Sequence, residues 1–576
     1  MAMRWRSALF FVVLFTPVLA RARAQDAQGS QAATDRIHGS VINSVTREPI
    51  GRALVFSTDN RFAAMTDSEG HFEFTFPAAN SSGQIGTDAS GERVGVADLG
   101  RPYMLMARKP GFLEDSHTRV SNLGAGQSEI TISLTPEALI VGRVQLPSAD
   151  APDRIQVQLY QRQVRDGRAH WVNAGNMATS RSKGEFRFAE LHAGTYKLIT
   201  REQLDRDPLA FDPGGQMYGF PPVYFPNASG FEGAAAIPLV AGQTFQANVV
   251  VTSHPYYRVK IPVANSPGVG SGINVFVYAQ GRGPGYSLGY DPSEQAITGM
   301  LPDGTYTVEA VSFGATSATG IANLTVKGAA AEGAPLALVA DASMVVNVKE
   351  EFTSNDESNS GSVVVSSGLS SGGPRNPRSY LNVYLEPVDD FGDQRGASSG
   401  ASFGLQIENV QPGRYWLRIN SSRGFVSSAK YGDVDLLHEP LVVGSGGTTT
   451  PIEITMRDDG ANLEGTVAGL ARSDANQVRP TEGLERYSES GGHVYLIPLP
   501  DSPGELRETW VQPDGKFNVQ QIPPGTYHVL AFDHPQQDLE YQNPEAMRAY
   551  ESKGQIVRLE PGQKEQLRLD LISGSE

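Results

Sequence analysis

Asp514-Gly515-Lys516-Phe517-Asn518-Val519, followed by Ile522-Pro523-Pro524-Gly525-Thr526-Tyr527, is the stretch whose reading decides the fold. Asp-Gly supplies a tight reversal with a residue at positive φ, and Phe517 and Val519 then point to one face of a strand. Pro-Gly makes the next reversal, after which Tyr527 and Val529 return to the same core. Working outward, Lys183-Gly184-Glu185-Phe186-Arg187-Phe188 and Gly194-Thr195-Tyr196 repeat the scheme. Ser68-Glu69-Gly70-His71-Phe72-Glu73-Phe74 repeats its first half, with a returning strand at Tyr103-Met104-Leu105-Met106. The turn before a tyrosine recurs at Asp303-Gly304-Thr305-Tyr306 and Pro412-Gly413-Arg414-Tyr415. Tyr196, Tyr306, Tyr415 and Tyr527 are therefore spaced by 110, 109 and 112 residues.

A period of that length is the size of one small domain, and the chain of 576 residues holds five of them. Gly126-Gln127, Gly242-Gln243 and Gly562-Gln563 each precede an alternating strand and mark unit ends. Within a unit the apolar residues alternate, as in IVGRV, IQVQLY, GEFRF and GTYKLI, which is the period of strands with one buried face. The expected fold class is all-β, a tandem array of about five small antiparallel β-sandwich domains of transthyretin-like or immunoglobulin-like form. The expected boundaries are 37–135, 138–252, 256–350, 360–457 and 461–572, after a flexible lead over 25–36. The polar stretches 79–100 and 353–375 read as loops or linkers. The one helix-forming segment is 543–553 (NPEAMRAYESK), with Asn543 as N-cap and Pro544 in the first turn.

Several of these residues also match a known family. Gly39-Ser40-Val41, Glu48-Pro49-Ile50, Ala53-Leu54-Val55, Thr66-Asp67-Ser68-Glu69-Gly70-His71-Phe72 and Lys109-Pro110-Gly111-Phe112 together resemble the carboxypeptidase regulatory-like domain, a transthyretin-like sandwich. The second and fifth units are similar through their Gly-Glu-Phe and Gly-Lys-Phe segments and Gly-Thr-Tyr turns; the third keeps Gly304-Thr305-Tyr306, and the fourth has Arg414 where the others have threonine. The whole looks like exported bacterial proteins built from such domains in tandem, which share a segment such as Pro221-Pro222-Val223-Tyr224-Phe225-Pro226. That resemblance implies a fold, and a fold does not fix a function.

Composition narrows the classes further. Lys+Arg 47 against Asp+Glu 63 gives a net charge of -16, and removing residues 1–24 takes four arginines away and leaves -20. An acidic surface is the wrong sign for nucleic acid, so no nucleic-acid partner is expected. Residues 1–24 read as a secretory signal peptide: Arg4 and Arg6, an apolar run from Ser7 to Ala20, then Ala22-Arg23-Ala24 before Gln25. The run is shorter than the about 20 residues needed to span a bilayer, which favours cleavage over an uncleaved anchor. No other segment approaches a membrane span. With no cysteine, the chain has neither disulfides nor a lipid attachment point, so the expected product is exported, periplasmic or extracellular, and not a lipoprotein.

Chemistry-bearing motifs are scarce. The ten histidines form neither His-x-x-Glu nor His-Glu-x-x-His, and His528 and His534, the closest pair, lack a carboxylate at ligand spacing. Gly-x-Ser-x-Gly spacing occurs around Ser287, Ser370, Ser398 and Ser402, but in Gly/Ser-rich stretches with no helical pattern after them, so none reads as a nucleophile elbow; no Walker loop or dinucleotide glycine pattern is present. Gly281-Arg282-Gly283-Pro284-Gly285 reads as a hairpin loop, and Asp389-Asp390 and Asp433-Val434-Asp435 as exposed acidic turns. No catalytic residue, metal or cofactor is expected. What remains for ligand contact is aromatic: Trp171 with His170, Tyr218 with Phe220, and Tyr224 with Phe225 lie near loops or strand ends. Exposed flat rings could stack on sugars, in likeness to starch-binding modules; packing within their own sandwich is the competing reading. Trp416 and Trp510 sit in alternating strands and are expected in the core. The leading functional expectation is a non-enzymatic binding or structural module whose partner is an unidentified protein or polysaccharide of the cell envelope. A carbohydrate-binding protein using Trp171, Tyr218 and Tyr224 is the alternative, and an enzyme with an unrecognised site the third reading.

Overall fold

The computed structural model describes residues 34–77, 85–87, 93–95, 104–114, 118–121, 129–148, 152, 154–205, 215–265, 272–279, 283, 285–313, 317–353, 381–389, 395–399, 405–446, 450–470, 492–500 and 502–573. The signal-peptide segment 1–24, most of the expected lead, and most of 353–375 lie outside the described residues. Within the expected loop 79–100, Ile85–Thr87 and Arg93–Gly95 pair as a short antiparallel ribbon.

The chain is all-β. Its described α-helix is the four-residue Pro544–Met547, whose N-cap Asn543 accepts from the Glu545 N–H, followed by a 3-10 turn over Arg548–Tyr550. By internal contacts the chain divides into two compact bodies, Met1–Pro136 and Glu137–Glu576.

In the first body, Thr34–Asn43 lies between His71–Pro77 and Glu129–Leu134, facing a second sheet of Ala63–Met65, Leu54–Ser57, Met104–Arg108 and Arg119–Ser121. Alternation explains the core between them: Ile37 and Val41, Phe72 and Phe74, Ile130 and Ile132 all turn inward.

The second body repeats this arrangement. Separate apolar cores run through residues 138–251, 259–338, 342–456 and 461–569. In the last of these, Ala461–Ala468 lies between Lys516–Ile522 and Lys564–Asp570, opposite a sheet led by Arg507–Trp510, His493–Pro498 and Gly525–Phe532. The core at 342–456 is built differently, by one continuous nine-stranded sheet.

One pairing departs from the antiparallel pattern, and it recurs in each of the five core regions. Thr34–Asn43 runs parallel to Glu129–Leu134, Ala138–Gln145 to Thr244–Gln246, His254–Pro262 to Ala331–Glu332, Ala342–Glu351 to Ile452–Arg457, and Ala461–Ala468 to Lys564–Asp570. The first strand of each region is thus zipped to a late one, which closes the chain segment on itself.

The four recurring tyrosines have a common role. All are buried, and each hydroxyl donates to the carbonyl oxygen four residues upstream: Tyr196 to His192 (2.9 Å), Tyr306 to Pro302 (2.9 Å), Tyr415 to Gln411 (2.9 Å) and Tyr527 to Pro523 (2.7 Å). This is a tyrosine corner, in which one ring fills the core while its polar tip ties down the preceding turn. A Cβ on Gly304 would lie 2.8 Å from the Tyr306 hydroxyl, so the glycine two residues before the ring leaves room for it to fold back.

The second body is not a string of separate beads. Gln203–Leu204 and Met217–Phe220 leave the 138–251 region and pair as a hairpin onto His254–Pro262, extending the neighbouring sheet.

Candidate functional site

Two places in the second body gather aromatic and charged side chains. The first surrounds Phe231. Trp171, in the strand Arg168–Thr179, meets Phe231 edge-on at 6.0 Å between centroids, and Tyr160 meets it edge-on at 5.1 Å. Tyr224, 5% exposed, joins the same cluster with Ile199 and Ala234. The segment carrying Tyr224 is held alongside Gly194–Thr200: the Val223 N–H donates to Thr200 Oγ1 (2.9 Å) and the Phe225 N–H to the Leu198 carbonyl (2.9 Å). Burial pushes the Tyr160 hydroxyl up to about 12 and raises that of Tyr224 as well, so both stay neutral.

This box is filled by the chain itself. Lys197 Nζ sits 4.8 Å from the Trp171 centroid and 4.7 Å from that of Phe231, and donates to the carbonyls of Phe231 (2.8 Å) and Glu232 (3.3 Å). A resident ammonium thus occupies the position an external ligand would take between these rings. Tyr218 is elsewhere: half-buried in Met217–Phe220, opposite Pro255. Of the three expected ligand-contact residues, Trp171 and Tyr224 come together and Tyr218 does not join them.

The second place lies where three regions distant in sequence meet. The strands Gln156–Arg165 and Arg168–Thr179 form a long hairpin whose tip is Asp166-Gly167, both at positive φ (45° and 73°). Gly167 is buried against the Tyr541 ring, where a Cβ would approach to 2.5 Å, so only glycine fits. Arg162 Nη2 reaches Glu540 Oε1 at 2.6 Å, Arg168 Nε donates to Gln542 Oε1 at 2.5 Å, and the Gln542 N–H donates to the Gly167 carbonyl at 3.2 Å. On the other side, Arg418 Nε lies 3.0 Å from Asp166 Oδ2 and 2.9 Å from Glu386 Oε2. Burial holds the Asp166 and Glu505 carboxyls around this arginine above the ordinary carboxylate range.

Beside the tip is a cavity of about 310 Å³, lined by Arg168, His170, Val388, Trp416, Gln542 and Asn543 among others. The Arg168 guanidinium stacks on Trp416, 4.0 Å from the ring centroid. Trp416 Nε1 is buried and has no hydrogen-bond partner.

The expectation that Trp416 and Trp510 are core residues is corrected here. In Gly413–Ser421 the inward positions are Tyr415, Leu417 and Ile419, which puts Trp416 on the opposite face. Trp510 is 41% exposed and leans on the buried His493, at 4.7 Å between ring centroids. Sequence reasoning also passed over Arg168 and Gln542. The Asp166-Gly167 hairpin turn was readable, but nothing local indicates what its tip touches.

Of the histidines weighed for metal, His528 Nε2 lies 2.7 Å from the Lys553 carbonyl and His534 Nδ1 is paired with Asp533. Among the described residues no three His, Asp or Glu side chains are arranged to hold a metal ion. In the first body, a surface cavity of about 400 Å³ lies between His38, Asp67, His71, Glu73 and Glu129. No described helix is long and apolar enough to cross a membrane.

No protein-family model matches the chain. No curated protein matches it either. Among solved structures, it is similar to the shaft pilin SpaA from Lactobacillus rhamnosus GG, at 10% identity over 38% of this chain and 98% of that one, with a TM-score of 0.15. It is also similar to the pilus adhesin SpaC from the same organism in its open conformation, at 13% identity over 53% and 44% of the two chains and a TM-score of 0.15. A streptococcal ancillary pilin gives 11% identity over 53% and 99%, with a TM-score of 0.16. Likenesses this weak carry nothing over from pili to this chain.

Proposed function

We propose that the chain is an exported, non-enzymatic array of five β-sandwich domains of the carboxypeptidase regulatory-like type, serving as a binding or structural module in the periplasm or at the bacterial surface. The domains are 37–135, 138–252, 256–350, 360–457 and 461–572, and the partner is a protein or polysaccharide of the envelope. The observation that carries this reading is the use made of charge in the second body. Arg162–Glu540 and Arg418–Asp166 join sheets more than two hundred residues apart in sequence, while Glu386, on the strand beside Arg418, holds that arginine in place, so these ion pairs act as cross-ties. Partly buried pairs of this kind favour one defined arrangement over many. The -20 charge after loss of residues 1–24 suits solubility in an exported setting.

Fractionating the producing bacterium and sequencing the N-terminus of the isolated chain tests the reading. A chain starting at Gln25 in the periplasm or medium, inert in peptidase and glycosidase screens and retained by an envelope fraction, is the expected result. A cytoplasmic chain starting at Met1, or one with turnover in either screen, would refute it.

A further inference from the structure

The cavity at the hairpin tip is walled by donors that lack acceptors. Among the described residues, Arg168 uses only Nε in hydrogen bonding, to Gln542; its two terminal nitrogens bond to no protein acceptor and it has no carboxylate partner. Trp416 lines the same wall, and its Nε1–H is buried and unsatisfied. A donor left unmet away from water is costly, and a partly buried guanidinium with no carboxylate hydrogen-bonded to it is more so. Glu540, the acid in the lining, is already committed to Arg162 and to Asn543 Nδ2 (3.1 Å). We propose that this cavity binds a small organic monocarboxylate, gripped by the Arg168 fork and the Trp416 Nε1–H.

Three features set the ligand class. The guanidinium fork and the indole donor call for a planar oxyanion with two acceptor oxygens, which a carboxylate supplies. Asp166, Glu386 and Glu505 cluster about Arg418 nearby, so a doubly charged phosphate meets more repulsion than a single negative charge. Val388, Ala169 and the Trp416 ring give the rest of the wall an apolar character suited to an organic body rather than a bare ion, and a volume of about 310 Å³ is at the small end for ligand sites. The site is independent of whether the chain is exported, so export and binding fail separately.

Isothermal titration of the full chain with D-galacturonate and with benzoate, against D-galactose and inorganic phosphate, tests the proposal and separates a sugar acid from an apolar acid. At least one carboxylate should bind with Kd below about 10 mM, and galactose and phosphate at least about tenfold more weakly. Arg168→Gln should weaken the carboxylate about tenfold or more, and Arg168→Lys, which keeps the charge and loses the fork, by several-fold. Trp416→Phe, which keeps a ring and removes the N–H, should also weaken it, and it keeps the test alive if Arg168→Gln does not fold. Failure of both carboxylates to bind, equal binding of galactose or phosphate, or unchanged affinity in Arg168→Gln or Trp416→Phe would overturn it.

Discussion

Trp171 and Trp416 each carry a cation over the indole ring, Lys197 at 4.8 Å and Arg168 at 4.0 Å, yet the two sites end in opposite conditions. Lys197 completes its coordination with the carbonyls of Phe231 and Glu232, and its surroundings, Tyr160, Tyr224 and Phe231, are packed shut. Arg168 hydrogen-bonds through one nitrogen, and a cavity remains beside it. A cation on a ring does not itself mark a closed site. What matters is whether the donors of the cation and the ring are all met by the protein.

The contrast can be broken at the closed site first. Tyr224→Ala empties a buried position and should cost about 3–5 kcal/mol, read as a fall in the midpoint of chemical unfolding. A variant that unfolds like the parent would mean the box is not packed. The burial around that box extends to Glu202, whose N–H donates to the Gly285 carbonyl and whose Oε2 accepts from the Ser287 N–H (3.0 Å). Burial pushes the Glu202 carboxyl up to about 7 from 4.5. The native state therefore holds its proton in a window where the unfolded chain has lost it, so the contribution of Glu202 to stability declines as pH rises from 4.5 to 7 and is level on either side. Relative to Glu202→Gln, the parent should lose about 2 kcal/mol across that window once partial exposure is allowed for. Parallel pH profiles for the two proteins would show Glu202 to be solvated. The smallest effect belongs to the open site. Trp416→Ala should cost under about 1 kcal/mol of stability, because the outward ring supports little else. A loss as large as that of Tyr224→Ala would place Trp416 in the fold rather than in a binding wall.

Much of the architecture was legible because it is local. The Asp-Gly and Pro-Gly reversals, the alternation around them and the spacing of Tyr196, Tyr306, Tyr415 and Tyr527 all depend on residues within a few positions of one another. Gly39, Gly142 and Gly465 lie opposite Phe72, Phe186 and Phe517, ring over glycine, in the three regions where the family resemblance is closest. In the 254–340 region the glycine changes strand, with Gly299 opposite Val259, and at 342–456 Met344 faces Ile407, which is why those two regions read faintly. Trp416 was misplaced for a simpler reason: adjacent residues of a strand cannot share a face, and Tyr415 already takes the inner one. The hairpin tip was illegible on different grounds. Arg162 and Glu540 are separated by 378 residues, and no periodicity connects them.

The hairpin of Gln203–Leu204 and Met217–Phe220 on His254–Pro262 has a practical corollary for anyone dissecting the chain. Expression boundaries drawn in the apparent gap between Val251 and His254 would strip one fragment of its partner and leave the other with a bare strand margin, open to pairing with any chain nearby. Fragments of this protein should be cloned with both neighbours together, since the covalent order of its modules and the order of its hydrogen bonds do not coincide.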